Sequence, residues 1–105
     1  MPTTNKWRIP TAIERAVLER DQSCIYCLVA FSTDTHDRRQ NRSWEHIIND
    51  LTLVTLENIA LCCIRCNSSK GRKTLEEWFQ SRYCLDRGIG PDTVAPVVRA
   101  VLGQS

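Results

Sequence analysis

The sequence predicts a small α+β domain in which helices flank a short two-stranded core, and three observations carry that prediction. Capping residues and helical apolar spacing mark both ends of the chain, at about 11–20, 74–84 and 92–102. Between them lie short apolar runs of strand length, "SWEHII" and "IAL". Four of the six cysteines form two C-x-x-C pairs, Cys24/Cys27 and Cys63/Cys66, the spacing of a tetrahedral metal site.

Taken in order, "TAIERAVLER" (11–20) reads as a helix. Thr11 and Glu14 have capping-box spacing after Pro10, and Ile13 and Val17 share a face. "DQS" ends it and "CIYC" follows as a knuckle. Residues 28–42 turn from apolar to charged and read mostly as loop. "SWEHII" alternates as a strand, with Trp44, His46 and Ile48 on one face and Glu45 and Ile47 on the other. "LTLVTL" alternates weakly. After Asn58, "IAL" reads as the second strand and runs into the second knuckle. A short helix over 64–70 stops at Gly71, a natural residue after a helix end. In "TLEEWFQSRYC" (74–84), Thr74 and Glu77 form another capping box, and Leu75, Trp78 and Phe79 supply the inner face. "DTVAPVVRAVL" reads as the last helix, with Pro96 near its first turn.

The 105 residues suit one small domain, spanning 1–105 with a core at about 20–73, whose modest core would gain from a staple. A hydrophobic fraction of 42% excludes a disordered chain. No apolar run approaches the roughly 20 residues of a membrane span, and the N-terminus lacks the apolar stretch of a secretory signal. The expectation is therefore a cytoplasmic protein with no membrane partner, where disulfides are rare and the cysteines bind metal. Two C-x-x-C pairs supply four thiolates, the closed shell of a structural Zn²⁺, worth on the order of 10 kcal/mol to a fold this small. A redox role would want a thioredoxin-like βαβ context, which is absent. Cys62 and Cys84 read as small buried hydrophobes, and His36 as a solvated loop residue. The 35 residues between Cys27 and Cys63 exceed the roughly 15 to 20 of a simple zinc ribbon. That insert contains His46.

The ordered set C-x-x-C, then "EHII", then "ENIALCC", then C-N-x-x-K-G resembles the HNH endonucleases over residues 11 to about 80. The resemblance implies a ββα-metal core embedded between the halves of a four-cysteine zinc site. It also implies roles: His46 as general base, Asn58 as the residue that holds the loop and the base in place, and Glu45 with Asn67 as ligands of a catalytic Mg²⁺ or Mn²⁺. Glu45 departs from the family's usual aspartate by one methylene. The implied activity is metal-dependent hydrolysis of DNA phosphodiester bonds.

The chemistry is coherent by itself. An imidazole can take the proton from an attacking water at cellular pH, and a hard divalent ion can neutralise the phosphate and the leaving oxygen. Glu45 and Asn67 are a sparse ligand set, which predicts weak metal binding until a phosphate completes the shell. Regular strand alternation, however, puts Glu45 and His46 on opposite faces. The formal charge is only +2, yet Arg65, Lys70, Arg72 and Lys73 form a run of cations suited to phosphate contacts. Trp7, Trp44 and Trp78 read as core rather than base-stacking residues. A domain this small has little room for a specificity module, so a homodimer or a partner protein would supply long-site recognition. The alternative is a non-catalytic zinc module that binds nucleic acid or a protein through the same cations. A zinc deaminase is excluded by motif order, because that chemistry wants H-x-E before P-C-x-x-C.

Overall fold

The computed structural model describes residues 9–31 and 38–103; the readings of Trp7 and His36 lie outside them. Among the described residues the chain forms α1 (Thr11–Arg20), a 3₁₀ turn (Arg38–Gln40), β1 (Arg42–His46), β2 (Ile59–Cys63), α2 (Ile64–Lys70), α3 (Leu75–Phe79), α4 (Arg82–Arg87) and α5 (Pro96–Val101). It is a mixed helix-and-strand domain with a two-stranded antiparallel sheet and a cysteine cluster. None of these helices is long and apolar enough to cross a membrane.

The sheet organises everything else. The register runs from Arg42 opposite Cys63 to His46 opposite Ile59. All five residues of β2 are buried because its two faces serve two cores. Ile59 and Leu61 join Val17 and Ile9, with Trp44 packed against them, and so bind α1 to the sheet. Ala60 and Cys62 face the larger core of Ile25, Tyr26, Ile47, Trp78 and Val98. This is the period-two alternation of a strand covered on both sides. Trp78 is fully buried and meets Tyr26 edge-on, with ring centroids 4.8 Å apart.

A polar clamp fixes the end of α1. Asp21 accepts two bonds from the Arg20 guanidinium at 2.8 and 2.9 Å, and its Oδ2 also accepts from the Leu61 N–H at 3.0 Å. Arg20 donates in turn to the carbonyls of Leu56 and Ile59. The turn after α1 is thereby tied to β2, and the first knuckle is delivered beside the second.

Three helix expectations change. Thr11 and Glu14 form no capping box: Pro10 takes the N-cap position, Thr11 is already helical, and no side-chain cap bond is made. The stretch 74–84 is two helices rather than one. The Thr74–Glu77 capping box does open α3, but the chain breaks at Gln80 and Ser81 restarts it, accepting from the Cys84 N–H. A continuous helix would set Trp78 and Tyr83 about 140° apart around its axis. The break lets the two rings stack instead, with centroids 6.0 Å apart and planes 25° from parallel. Finally, α5 begins at Pro96 and not at 92. The residue before a proline avoids the helical region, and Ala95 is extended at ψ 157°, giving its N–H to Ile25 instead. Proline starts this helix rather than being tolerated inside it.

Candidate metal centre and the adjoining buried polar cluster

Cys24 and Cys27 sit in the turn after α1, Cys63 ends β2, and Cys66 lies in the first turn of α2. The antiparallel pairing and the Asp21 clamp bring these two chain segments together, and all four Sγ atoms lie within 4.8 Å of one another. The Cys27 and Cys63 sulfurs are 3.8 Å apart. Four sulfurs about 2.3 Å from a zinc ion at tetrahedral angles would be about 3.8 Å apart, so the spacing suits that ion. The backbone supports the negative charge such thiolates carry. The N–H groups of Tyr26 and Cys27 donate to Cys24 Sγ at 3.4 and 3.5 Å, and the Cys66 N–H donates to Cys63 Sγ at 3.4 Å. The four cysteines can hold a metal ion, and the arrangement is compatible with structural zinc.

Tyr83 adds an outer contact, its Oη lying 3.2 Å from Cys66 Sγ. The Arg87 guanidinium lies over the Tyr83 ring, 3.8 Å from its centroid. Cys62 and Cys84 are unbridged and fully buried and do not belong to this set. Burial raises the Cys62 pKa well above that of an ordinary thiol, and the Glu45 charge adds to the effect.

His46 closes β1, opposite Ile59, and is buried. Burial lowers its pKa below the ordinary 6.5; the Asp50 carboxylate opposes the shift and the Lys70 ammonium reinforces it. Asp50 is held by Thr52, whose N–H and hydroxyl donate to its Oδ1 at 2.9 and 2.6 Å.

Asn58 organises the turn between the strands. Its Oδ1 accepts from the Ile48 N–H at 2.7 Å, and its Nδ2 donates to the carbonyls of Ile48 at 3.2 Å and Leu53 at 3.0 Å. Asn67, on α2, gives its Nδ2 to Ser43 Oγ at 3.0 Å and to the Trp44 carbonyl at 3.1 Å, which pins the helix along β1.

Glu45 is buried on the core side of β1. Its Oε2 accepts the Tyr26 hydroxyl at 2.6 Å and pairs with Lys70 Nζ at 3.0 Å. Burial raises the Glu45 pKa, against the opposing pull of Lys70 and the Tyr26 hydrogen bond. Lys70 is 1% exposed, and its ammonium also reaches the His46 carbonyl at 3.5 Å. Lys70 therefore leaves the surface run of cations in which the sequence puts it, because a buried carboxylate claims its charge. Of the other members, Arg72 and Lys73 are exposed and Arg65 is half-buried. Arg72 borders a groove of about 500 Å³ shared with Ile48, Asn49, Glu76 and Leu102.

Tyr26, Ser43 and Tyr83 belong to these clusters although the sequence singles out none of them. Tyr26 stands inside the first knuckle, where the spacing draws attention only to its flanking cysteines. No protein-family model, no curated protein and no solved structure matches the chain.

Proposed function

We propose that the domain is a divalent-metal-dependent endonuclease of the HNH type that hydrolyses DNA phosphodiester bonds, with His46 as general base. The observation that carries the reading is the order β1, turn, β2, α2, with His46 at the end of β1, Asn58 tying the turn, and α2 lying back along β1. In this reading those elements are the ββα core. The four-cysteine site is a structural zinc that joins its two ends.

The lowered His46 pKa keeps the ring neutral near pH 7, so that it can take the proton of a water attacking phosphorus. Asn58 holds the turn that follows the imidazole and thus acts through position. The exposed Arg72 and Lys73 offer charge to the phosphate backbone. For the divalent ion, the test is what stands beside Glu45. A unit positive charge, the Lys70 ammonium, already lies 3.0 Å from its carboxylate, so the charge of Glu45 is met by the protein itself and this ion pair would have to open to admit a metal. Glu45 and Asn67 would hold the ion in its place, and the ion would supply Lewis-acid stabilisation of the phosphate.

The same ion pair favours a second reading. With its carboxylate already neutralised, the domain can serve as a non-catalytic zinc module that binds nucleic acid or a protein partner. Supercoiled plasmid incubated with Mg²⁺ or Mn²⁺ separates the two. Wild type should nick or linearise it, and His46→Ala, matched for zinc content and folding, should not. Cutting that survives in His46→Ala removes the base from His46. Intact plasmid with every divalent ion favours the binding module.

A further inference from the structure

We propose that Lys70 is a positioning residue for His46: from inside the core its ammonium grips the end of β1, through the Glu45 carboxylate and the His46 carbonyl, and so fixes the stance of the imidazole. The value of that stance to catalysis rests on the nuclease reading, but the grip itself does not.

The grip is one face of α2. Asn67 and Lys70 stand three residues apart, which sets them on the same side of a helix. Together they reach four consecutive residues of β1. Asn67 Nδ2 donates to Ser43 Oγ and to the Trp44 carbonyl, while Lys70 Nζ pairs with Glu45 Oε2 at 3.0 Å and reaches the His46 carbonyl at 3.5 Å. From the first knuckle, the Tyr26 hydroxyl donates to the same Glu45 oxygen at 2.6 Å. Both chain segments that carry the four cysteines thus converge on the residue before His46.

Burial makes this an internal device. Lys70 and Glu45 are both shut away from solvent, so the ammonium meets no nucleic-acid backbone and the carboxylate is satisfied without any ion. Stability alone does not call for the pair, because replacing a buried ion pair by uncharged residues of similar volume is often neutral or stabilising. Removing one partner is costly, since the other is left as an unmet charge. The ammonium also faces the ring: with burial it lowers the His46 pKa, and Asp50 opposes both.

The test uses zinc-loaded Lys70→Met, and Glu45→Gln/Lys70→Met, in which no charge is left unmet. Relative to wild type, kcat on plasmid DNA should fall by about 10- to 100-fold, as for a displaced base, with KM within about twofold. The nuclear Overhauser contacts of the His46 ring should change, and its titration midpoint should rise as the Lys70 charge is lost. A folded double variant with wild-type kcat and ring contacts overturns the proposal. A midpoint that rises while the ring contacts stay is a field effect without a grip and overturns it too. So does a raised KM with kcat kept, the mark of a phosphate contact.

Should both variants fail to fold, wild type still decides. The Lys70 ammonium should keep a ¹H–¹⁵N signal under conditions where the exposed Lys73 has lost its own to exchange, and that signal should shift as His46 is titrated, since coupling is reciprocal. An ammonium that exchanges like Lys73, or that ignores the titration, overturns the grip. Wild type that never cuts plasmid removes the nuclease reading, and the ring contacts alone then decide the positioning.

Discussion

Asn58 and Ile48 exchange two hydrogen bonds, the Ile48 N–H donating to Asn58 Oδ1 at 2.7 Å and Asn58 Nδ2 donating to the Ile48 carbonyl at 3.2 Å. The Asn58 carbonyl also accepts from the Ile47 N–H at 2.9 Å. The side-chain amide thus serves backbone groups just past the point where β1 stops.

Asn58→Ala would remove the side-chain partner of the Ile48 N–H and of the Leu53 carbonyl and one of two donors to the Ile48 carbonyl, which the Asp50 N–H also serves, at about 1 kcal/mol for each net bond lost. We expect a loss of about 2–3 kcal/mol in urea unfolding, with zinc content unchanged because the cysteines lie elsewhere. Plasmid cleavage should fall with it. A variant that keeps full stability would mean that the turn holds its shape without Asn58.

Tyr83→Phe tests the outer contact of the candidate zinc site. A hydroxyl donated to a metal-bound thiolate lowers its effective charge, and removing such a group typically weakens metal binding by about 10- to 100-fold. Zinc transfer to a chromogenic chelator should accelerate within that range while the far-ultraviolet circular dichroism of the zinc-loaded protein stays unchanged. Unchanged transfer would make Tyr83 a packing residue only. Full removal of zinc should unfold much of the domain if the four cysteines hold it, since an ion there would join two chain segments that otherwise meet through a two-stranded sheet.

The pH dependence follows from His46. Its folded-state pKa lies below the ordinary 6.5, chiefly through burial, so between the two values the unfolded chain binds more protons. Its contribution to stability is therefore complete above pH 6.5 and declines as the pH falls through the folded-state value. The acid limb of the kcat/KM profile should sit below pH 6.5, with the imidazole NMR titration at the same midpoint. Asp50→Asn, which removes a fully exposed carboxylate that raises the His46 pKa, should move both lower still. A midpoint at or above 6.5 contradicts the burial of the ring.

Much of the framework was legible from local signals. Gly71 stops α2, and Thr74 with Glu77 opens α3, because those groups bond within a single turn of chain. The C-x-x-C pairs carried the metal site for the same reason, each knuckle being a local turn. Two misreadings were local, Pro10 taking the N-cap of α1 and Pro96 holding Ala95 extended before α5; another lies where distant partners meet. Ser81 caps a new helix within an apparently continuous pattern, and there Tyr83 meets both the Trp78 ring and Cys66 Sγ. Alternation correctly separated Glu45 from the Trp44 face but could not say what would meet its charge.

The sequence by itself determined the element types and the pairing of two knuckles, because spacing and capping are properties of neighbouring residues, while the candidates His46, Asn58 and Asn67 came from the resemblance of the ordered motifs to a known family. Only the tertiary structure decided that Lys70 turns inward to Glu45, 25 residues away, and that Tyr26 completes the contact. A buried carboxylate needs a counter-charge and hydrogen-bond donors, and which side chains provide them depends on the packing of α2 and the first knuckle against β1.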